Sequence, residues 1–233
     1  MNKKNFVNKV VLPGALAIVA AVVPFVLIQI NLLDGYSAQI LIMCAINAIM
    51  ALSVNIICGI TGQLSLGQAG FMALGGYATI LLTDMAHLPL PVSIILAALI
   101  TAFFGFLIGF PTLRLEGDYL AIVTLAFGEI IRVVLVNLKD LTGGPNGKQF
   151  NTTLTFFDGP AFFVITGILI LIIILLQNFI RSTYGRAILA VREDEVAANA
   201  NGIGVFKYKM IGFVIASFVA GIGGALYVSR IGF

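Results

Sequence analysis

The sequence predicts an all-α, polytopic transmembrane helical bundle of about seven spans, one of which is glycine-rich and broken or re-entrant. The first observation is composition: 60% of the 233 residues are apolar and only 10% are charged, whereas a soluble protein carries about 25% charged residues. The second is that the apolar residues form runs of about 20, the length of a helix that crosses the hydrocarbon core. The third is the net charge of +3, which indicates basic cytoplasmic loops of a membrane protein rather than nucleic-acid binding.

Seven segments meet the length requirement, and together they define a single transmembrane domain over residues 1–233. In chain order they are residues 10–30, 39–58, 64–83, 91–112, 118–137, 160–180 and 209–229. The first continues to Gln29 and Asn31. We interpret it as an uncleaved span, because a signal peptide has a shorter apolar core and a small-residue cleavage site.

Basic residues predict a cytoplasmic N-terminus, since lysine and arginine accumulate in cytoplasmic loops. With that orientation the inner side holds the larger set, which is Lys3, Lys4, Lys9, Arg114, Arg181, Arg186, Arg192, Lys207 and Lys209. The outer side holds Lys139, Lys148 and Arg230, while Arg132 lies within a span. The loop at residues 181–209 is therefore predicted inside, and the loop at residues 138–159 outside.

The segment that begins at Gly59, GITGQLSLGQAGFMALGGYA, places small and polar residues at membrane depth. Ser65, Ala69 and Ala73 recur every four residues, which leaves one helix face nearly bare and open to close approach by another backbone. One interpretation is tight helix packing with a short inner turn. The other is a broken or re-entrant element that lines a substrate path, because irregular backbone at that depth persists only when it is buried in protein or faces water. The second interpretation makes five residues candidates for the translocation path, namely Gln63, Ser65, Gly67, Gln68 and Gly70.

The fifth span contains two further path candidates, Glu129 and Arg132. At positions i and i+3 of a helix they share a face and can form an ion pair. Either charge alone would cost about 2.5–3.5 kcal/mol at the centre of a span, so we expect the pair to face protein. It is then either a structural ion pair that fixes spans together or a gate or charged wall of the path.

The segment at residues 181–209 is polar, and lipid offers no partners for its charges, so it must lie at a membrane surface. Two short helices are predicted in it, at residues 183–191 and 193–201, because its alanines favour helix. Glu193, Asp194 and Glu195 suit the positive end of the second helix, and Gly202 suits its C-terminal stop. The alternative interpretation is a solvated amphipathic loop.

The sequence contains no constellation typical of a soluble enzyme, and no residue is predicted to be catalytic. The single histidine, His87, excludes a histidine metal cluster, and its proline neighbours indicate a turn. The phosphate-binding pattern G-x-x-x-x-G-K-[ST] is missing from the sequence. We therefore expect no metal or cofactor in this chain, and any ATP chemistry must belong to a partner.

Four motifs in the same order resemble those of the branched-chain amino acid ABC-importer permeases of the LivM type. They are the glycine-rich segment above, TLAFGEIIRVV at residues 124–134, LTGGPNG at residues 141–147 and YGRAILAVREDEVAANANGIGVFKYK at residues 184–209. The resemblance extends from about residue 47 to the end of the chain. Such permeases continue with further spans and a second glycine-rich stretch, so by this resemblance the chain is expected to be C-terminally truncated.

The resemblance implies an importer for leucine, isoleucine and valine in a bacterial plasma (inner) membrane. The implied partners are a second, LivH-type permease, two cytoplasmic ABC ATPases, an extracytoplasmic substrate-binding protein and membrane lipid. The loop at residues 181–209 would be the cytoplasmic EAA-type coupling loop that docks the ATPase. Its candidate coupling residues are Arg186, Glu193, Asp194, Glu195, Ala198 and Gly202.

Two alternative functions remain open at this point. Permeases for urea or short-chain amides in the same family look much alike. An ion-coupled secondary transporter or a channel would also be all-helical with polar residues at membrane depth. However, it would not need a long amphipathic inner loop, and an ion-coupled carrier would usually show more intramembrane carboxylates.

Overall fold

The computed structural model describes residues 35–115, 117–150 and 158–232, and all regular structure in these ranges is helical. In chain order the elements are α1 (Gly35–Val54), a π-helical continuation (Asn55–Ile60), α2 (Gln68–Asp84), α3 (Leu90–Thr112), α4 (Asp118–Asn137), α5 (Lys139–Thr142), a 3-10 turn (Gly144–Asn146), α6 (Asp158–Arg181), α7 (Thr183–Glu193), α8 (Glu195–Ala200) and α9 (Val205–Ile231). The predicted all-α fold is confirmed. The predicted first span, residues 10–30, lies outside the described residues.

Five helices in these ranges are long and apolar enough to cross a membrane, and they correspond to five of the predicted spans. They are Tyr36–Ile60, Leu90–Thr112, Asp118–Asn137, Phe162–Arg181 and Val205–Ile231. The last begins four residues before the predicted span at residue 209, because Lys207 and Lys209 continue the first turns of α9 rather than ending the loop.

The glycine-rich element is broken, which is one of the two interpretations of the sequence, and its helix starts later than residue 64. Residues 62–67 are not helical, and α2 begins at Gln68 rather than at residue 64. The 17 residues of α2 extend over about 26 Å, somewhat less than the hydrocarbon core of about 30 Å. Gly62 adopts a φ of +70°, a conformation that favours glycine and that turns the chain out of the preceding helix.

The last helix, α9, forms the centre of the bundle and packs against α1, α2 and α3. Its contacts with α2 are made by glycines, since an added Cβ on Gly75 would lie 2.6 Å from Cα of Gly221. A Cβ on Gly224 would lie 1.9 Å from the carbonyl oxygen of Met72. Small residues at the contact allow the backbones to approach this closely.

The face of α1 that enters the core is aliphatic, and α1 packs against both α6 and α9. Ile42, Ile46 and Ile49 of α1 recur at helical spacing and are fully buried. Large apolar side chains on α3 and α4, such as Phe103 and Ile122, are instead exposed. Exposed apolar and buried small or polar residues are the arrangement expected of a bundle in lipid.

Candidate functional site

The break between α1 and α2 is held in place by specific hydrogen bonds at both ends. At the first end, in the wide π turn, the backbone N–H of Thr61 donates to the Ile56 carbonyl at 3.0 Å. The backbone N–H of Gln63 donates to the Ile57 carbonyl, also at 3.0 Å. At the second end, the Leu66 N–H donates to the hydroxyl of Thr124 on α4 at 3.1 Å. Single π turns are frequent at functional sites, and this one delivers the extended segment to α4.

Polar side chains in and beside the break are buried, and several of their atoms have no partner. Gln63, Ser65 and Gln68 are 4%, 4% and 5% exposed. The Ser53 hydroxyl donates to Oε1 of Gln68 at 2.7 Å. Among the described residues, both amide atoms of Gln63, the hydroxyl of Ser65 and Nε2 of Gln68 have no hydrogen-bond partner. An unsatisfied buried polar group costs about 1–3 kcal/mol, so this cluster is a candidate ligand-contacting region rather than ordinary packing.

Gln63 lines a polar cavity of about 340 Å³ that the segment at residues 181–209 closes on one side. The cavity is bounded by Leu115, Asp118, Glu195 and Lys209 among others. Glu195 on α8 and Lys209 on α9 form a salt bridge across it, with 2.5 Å between Oε1 and Nζ. The broken element and the polar segment at residues 181–209 therefore meet at one cavity.

A second cavity, of about 240 Å³, lies between α2 and α4 and is called here the α2–α4 groove. Its lining residues are Leu66, Ala69, Gly70, Ala73, Leu125, Gly128, Glu129 and Arg132. Gly70 allows close contact at its base, since an added Cβ there would lie 2.9 Å from Cα of Gly128. Gly67 has the same role against Thr124, whose carbonyl oxygen would lie 2.7 Å from an added Cβ.

Glu129 and Arg132 form the predicted ion pair, but they do not face the protein interior of this chain. Arg132 donates to Oε1 of Glu129 from Nε at 2.8 Å and also from Nη2. The Arg132 and Glu129 side chains are 67% and 57% exposed. The expectation that the pair faces protein is not met within this chain alone, because α4 buries the face that carries Leu120, Thr124 and Ile131 instead. The pair lies on the rim of the α2–α4 groove.

The alanine face of α2 is open, contrary to the expectation that a neighbouring backbone approaches it. Ala69 is exposed and Ala73 is half-buried, and both border the α2–α4 groove and a further groove of about 350 Å³ against α9. The glycines Gly70, Gly75 and Gly76 make the close contacts. A four-residue spacing of small residues marks a face on which helices can meet but does not say whether this chain supplies the partner.

The segment at residues 181–209 forms two short helices with well-defined caps. Ser182 accepts from the Gly185 N–H at 3.2 Å at the start of α7. Asp194 caps α8 by accepting from the N–H groups of Val196 and Ala197, both at 2.9 Å. The second helix thus starts at Glu195, two residues later than predicted, because Asp194 acts as the cap residue and Glu193 closes α7.

Gly202 ends α8 as predicted, with a φ of +80°. The N–H of Gly202 bonds to the Asn199 carbonyl at 2.9 Å, and the N–H of Ile203 bonds to the Ala198 carbonyl at 3.0 Å. These two bonds are those of a Schellman motif, which favours glycine at this position.

Most of the candidate coupling residues are on the surface, with one exception. Arg186, Glu193, Asp194, Glu195 and Gly202 are exposed, whereas Ala198 is 4% exposed and packs within the chain. The residue that α8 presents outward is Val196, which is 82% exposed. Val196 is not among the predicted coupling residues, although it is the one large apolar side chain in EVAANA.

Arg192 is also not among the predicted site residues. It lies at the end of α7 and donates from Nη1 to the carbonyl oxygen of Gly59 in the π turn. It also packs over Gly62, where an added Cβ would lie 2.8 Å from Cγ of Arg192. Arg192 therefore connects the α7–α8 segment to the broken element. Its separation from Gly59 by 133 positions left no signal in the local pattern.

Within the ranges that the structure covers, no group of three or more histidine, cysteine, aspartate or glutamate side chains could hold a metal ion. His87 lies in the loop between α2 and α3 with a φ of 51°, in agreement with a turn residue. The two cysteines, Cys44 and Cys58, are free.

The sequence of this chain is similar to those of known transport proteins. The family model described as "Branched-chain amino acid transport system / permease component" matches residues 36–233. The high-affinity branched-chain amino acid transport system permease protein LivM of Salmonella typhimurium is 36% identical over 94% of this chain and 57% of its own length. The protein of the same name from Escherichia coli K12 is 34% identical over the same shares.

A nucleoside ABC transporter permease protein, NupC of Lactococcus lactis, is more distantly similar. It is 25% identical over 73% of this chain and 60% of its own length. No solved structure is a significant match to the chain. The chain spans 57% of the length of the two LivM proteins.

Proposed function

This chain belongs to the permease components of branched-chain amino acid transport systems, and from that membership we propose that it is a membrane-spanning permease subunit of an ABC importer for leucine, isoleucine and valine. The observation that carries the proposal is the broken element between α1 and α2. There, unpaired amide and hydroxyl groups of Gln63, Ser65 and Gln68 are buried in an otherwise apolar bundle. Such groups are retained at membrane depth where they contact a transported solute.

The proposed transporter contains partners that this chain does not supply. A second, LivH-type permease completes the translocation path, and two cytoplasmic ABC ATPases bind ATP and Mg²⁺. An extracytoplasmic binding protein delivers the substrate. The complex lies in a bacterial plasma membrane, with the N-terminus of this chain and its segment at residues 181–209 in the cytoplasm, as the distribution of basic residues favours.

Movement of the ATPases would reach the path through α8 and Arg192. Val196 is exposed on α8 and borders the cavity that Gln63 lines, and the Glu195–Lys209 bridge ties α8 to the start of α9. Arg192 contacts Gly59 and packs over Gly62. A shift of the α7–α8 segment would therefore move the π turn and the extended segment that holds Gln63.

The orientation gives a labelling prediction. Single cysteines at Asn146 and Asn199, in a background with Cys44→Ala and Cys58→Ala, should be accessible from opposite sides because both positions are exposed and lie in loops of opposite predicted location. A membrane-impermeant maleimide should label the Asn146→Cys protein in intact cells and the Asn199→Cys protein only after permeabilisation. Labelling of both from one side would contradict the orientation.

Substrate choice is tested by stimulation of ATP hydrolysis. The permease is assembled with its second permease, its ATPases and its binding protein, and each candidate substrate is added in turn. Leucine, isoleucine and valine should raise the ATPase rate, and urea should not. A nucleoside is included because of the similarity to NupC. Stimulation by the nucleoside and not by leucine would replace the proposed substrate class.

A further inference from the structure

The Glu129–Arg132 pair lies deep in the membrane-spanning part of the chain. In the span Asp118–Asn137, Glu129 is about 16 Å from one end and about 12 Å from the other. Charged side chains at this depth are costly against lipid, and they mark substrate or ion pathways when they are retained. At this depth, solvation by bulk water does not explain why two charged side chains are present.

The pair is not enclosed by the chain, and its hydrogen-bonding capacity is only partly used. Both side chains are more than half exposed, and the two bonds from Arg132 converge on one carboxylate oxygen, Oε1 of Glu129. A carboxylate can accept about four hydrogen bonds and a guanidinium can donate five. Each partner can therefore bind another charged group.

We propose that this pair is the headgroup site for zwitterionic α-amino acids in the translocation path, with the amino acid's aliphatic side chain in the α2–α4 groove. The proposal rests on the proposed function. The carboxylate of the ligand would bind Arg132 through its planar fork, and the ammonium of the ligand would bind Glu129. The pair thus exchanges one internal ion pair for two with the ligand.

The charge balance favours a zwitterion over other small solutes. The pair has no net charge, and neither does the ligand, so no uncompensated charge is left in a low-dielectric site. A ligand with only an ammonium or only a carboxylate would break the pair and leave one partner unmatched, which is strongly unfavourable. The pair should therefore bind a zwitterion more tightly than a ligand that carries only one of the two charges.

The groove beside the pair suits a small aliphatic side chain. Its walls are Leu66, Ala69, Ala73 and Leu125, and the small residues Gly70 and Gly128 form its base. Its volume of about 240 Å³ is below the roughly 300–1,000 Å³ of pockets for drug-sized ligands. Both the charged and the apolar part of a branched-chain amino acid have a counterpart at this site.

The test makes two measurements. The first is direct binding of radiolabelled leucine to the assembled transporter in detergent, without the binding protein. The second is ATP-driven leucine uptake in proteoliposomes. The variants are Glu129→Gln, Arg132→Gln and the double Gln variant. The control is Asp84→Asn. It breaks a different salt bridge, between Nζ of Lys148 and Oδ2 of Asp84 at 3.6 Å, whose residues are distant in sequence from the Glu129–Arg132 pair. We expect each pair variant to weaken leucine binding about tenfold or more, and the control to bind like wild type.

The double variant separates binding from structural stabilisation. It removes both charges, so it should insert and assemble as well as wild type, yet bind leucine most weakly of all. Wild type should also bind leucine at least tenfold more tightly than leucinamide or 4-methylpentanoate, which each lack one of the two charges. A merely structural pair predicts the reverse order, with the double variant milder than either single variant.

Three outcomes would overturn the inference while leaving the proposed function intact. In the first, wild type transports leucine and the pair variants bind it as well as Asp84→Asn does. In the second, the double variant binds leucine normally. In the third, the variants lose the second permease while the complexes that remain bind leucine like wild type, which would make the pair a subunit contact. Failure of the wild-type complex to transport leucine at all would instead refute the proposed function.

Discussion

Val196→Asp is expected to abolish association of the permease with its ATPase and to reduce ATP-driven transport to background. Val196 is the second residue of the six-residue helix α8, and it is 82% exposed. If it fills an apolar pocket of the ATPase, a carboxylate there would be buried without a partner. Anchor residues of this kind contribute about 2 kcal/mol or more, which corresponds to about a thirtyfold loss of affinity. The measurement is a detergent pull-down of the ATPase, together with the yield of permease in the membrane.

Asn199→Asp is the matched control for this prediction. It adds the same charge to the same exposed helix but leaves the Val196 side chain unchanged, so association should be retained. Both variants should reach the membrane in normal amounts, because neither residue is buried in the bundle. If Val196→Asp binds the ATPase as tightly as Asn199→Asp does, α8 is not the docking element.

Gly224→Ala is expected to disrupt the contact between α2 and α9 and to cause a large loss of folded protein. The added Cβ would lie 1.9 Å from the carbonyl oxygen of Met72 and 3.0 Å from the backbone nitrogen of Gly76. Overpacking usually costs about 1–3 kcal/mol. Here the cost should be at or above that range, because backbone atoms cannot move aside by a change of rotamer. Thermal unfolding of the purified protein in detergent measures the effect.

Gly167→Ala is the control, since an added Cβ on this α6 glycine meets nothing within 4 Å. It should be neutral or slightly stabilising, because alanine has the higher helix propensity. Equal thermal stability of Gly224→Ala and Gly167→Ala would show that the close contact between α2 and α9 is not as described.

The spans could be predicted because a membrane imposes a length and a composition on each helix separately. The run from Leu90 to Thr112 is visible in the sequence for this reason. The C-terminal stop at Gly202 was equally local, since a left-handed residue after a helix favours glycine. None of these features depends on how the helices are arranged in the bundle.

The direction in which side chains point could not be predicted in the same way. The i, i+3 spacing of Glu129 and Arg132 gives their pairing, but α4 is apolar on nearly every face, so no stripe indicated which side is buried. The same limit applies to α8, where Ala198 is buried and Val196 is exposed. The contact between Arg192 and Gly59 depends on the packing of α7 against the π turn, which no local pattern encodes.

The central claim is that this chain forms part of a path that ATP hydrolysis by partner subunits drives. Its most direct test is accumulation of radiolabelled leucine in proteoliposomes that contain the assembled transporter and its binding protein. Accumulation should require ATP on the side of the α7–α8 segment and should be lost with Val196→Asp. Leucine entry at an undiminished rate without ATP, or entry driven by an ion gradient alone, would contradict the account and identify a carrier or channel instead.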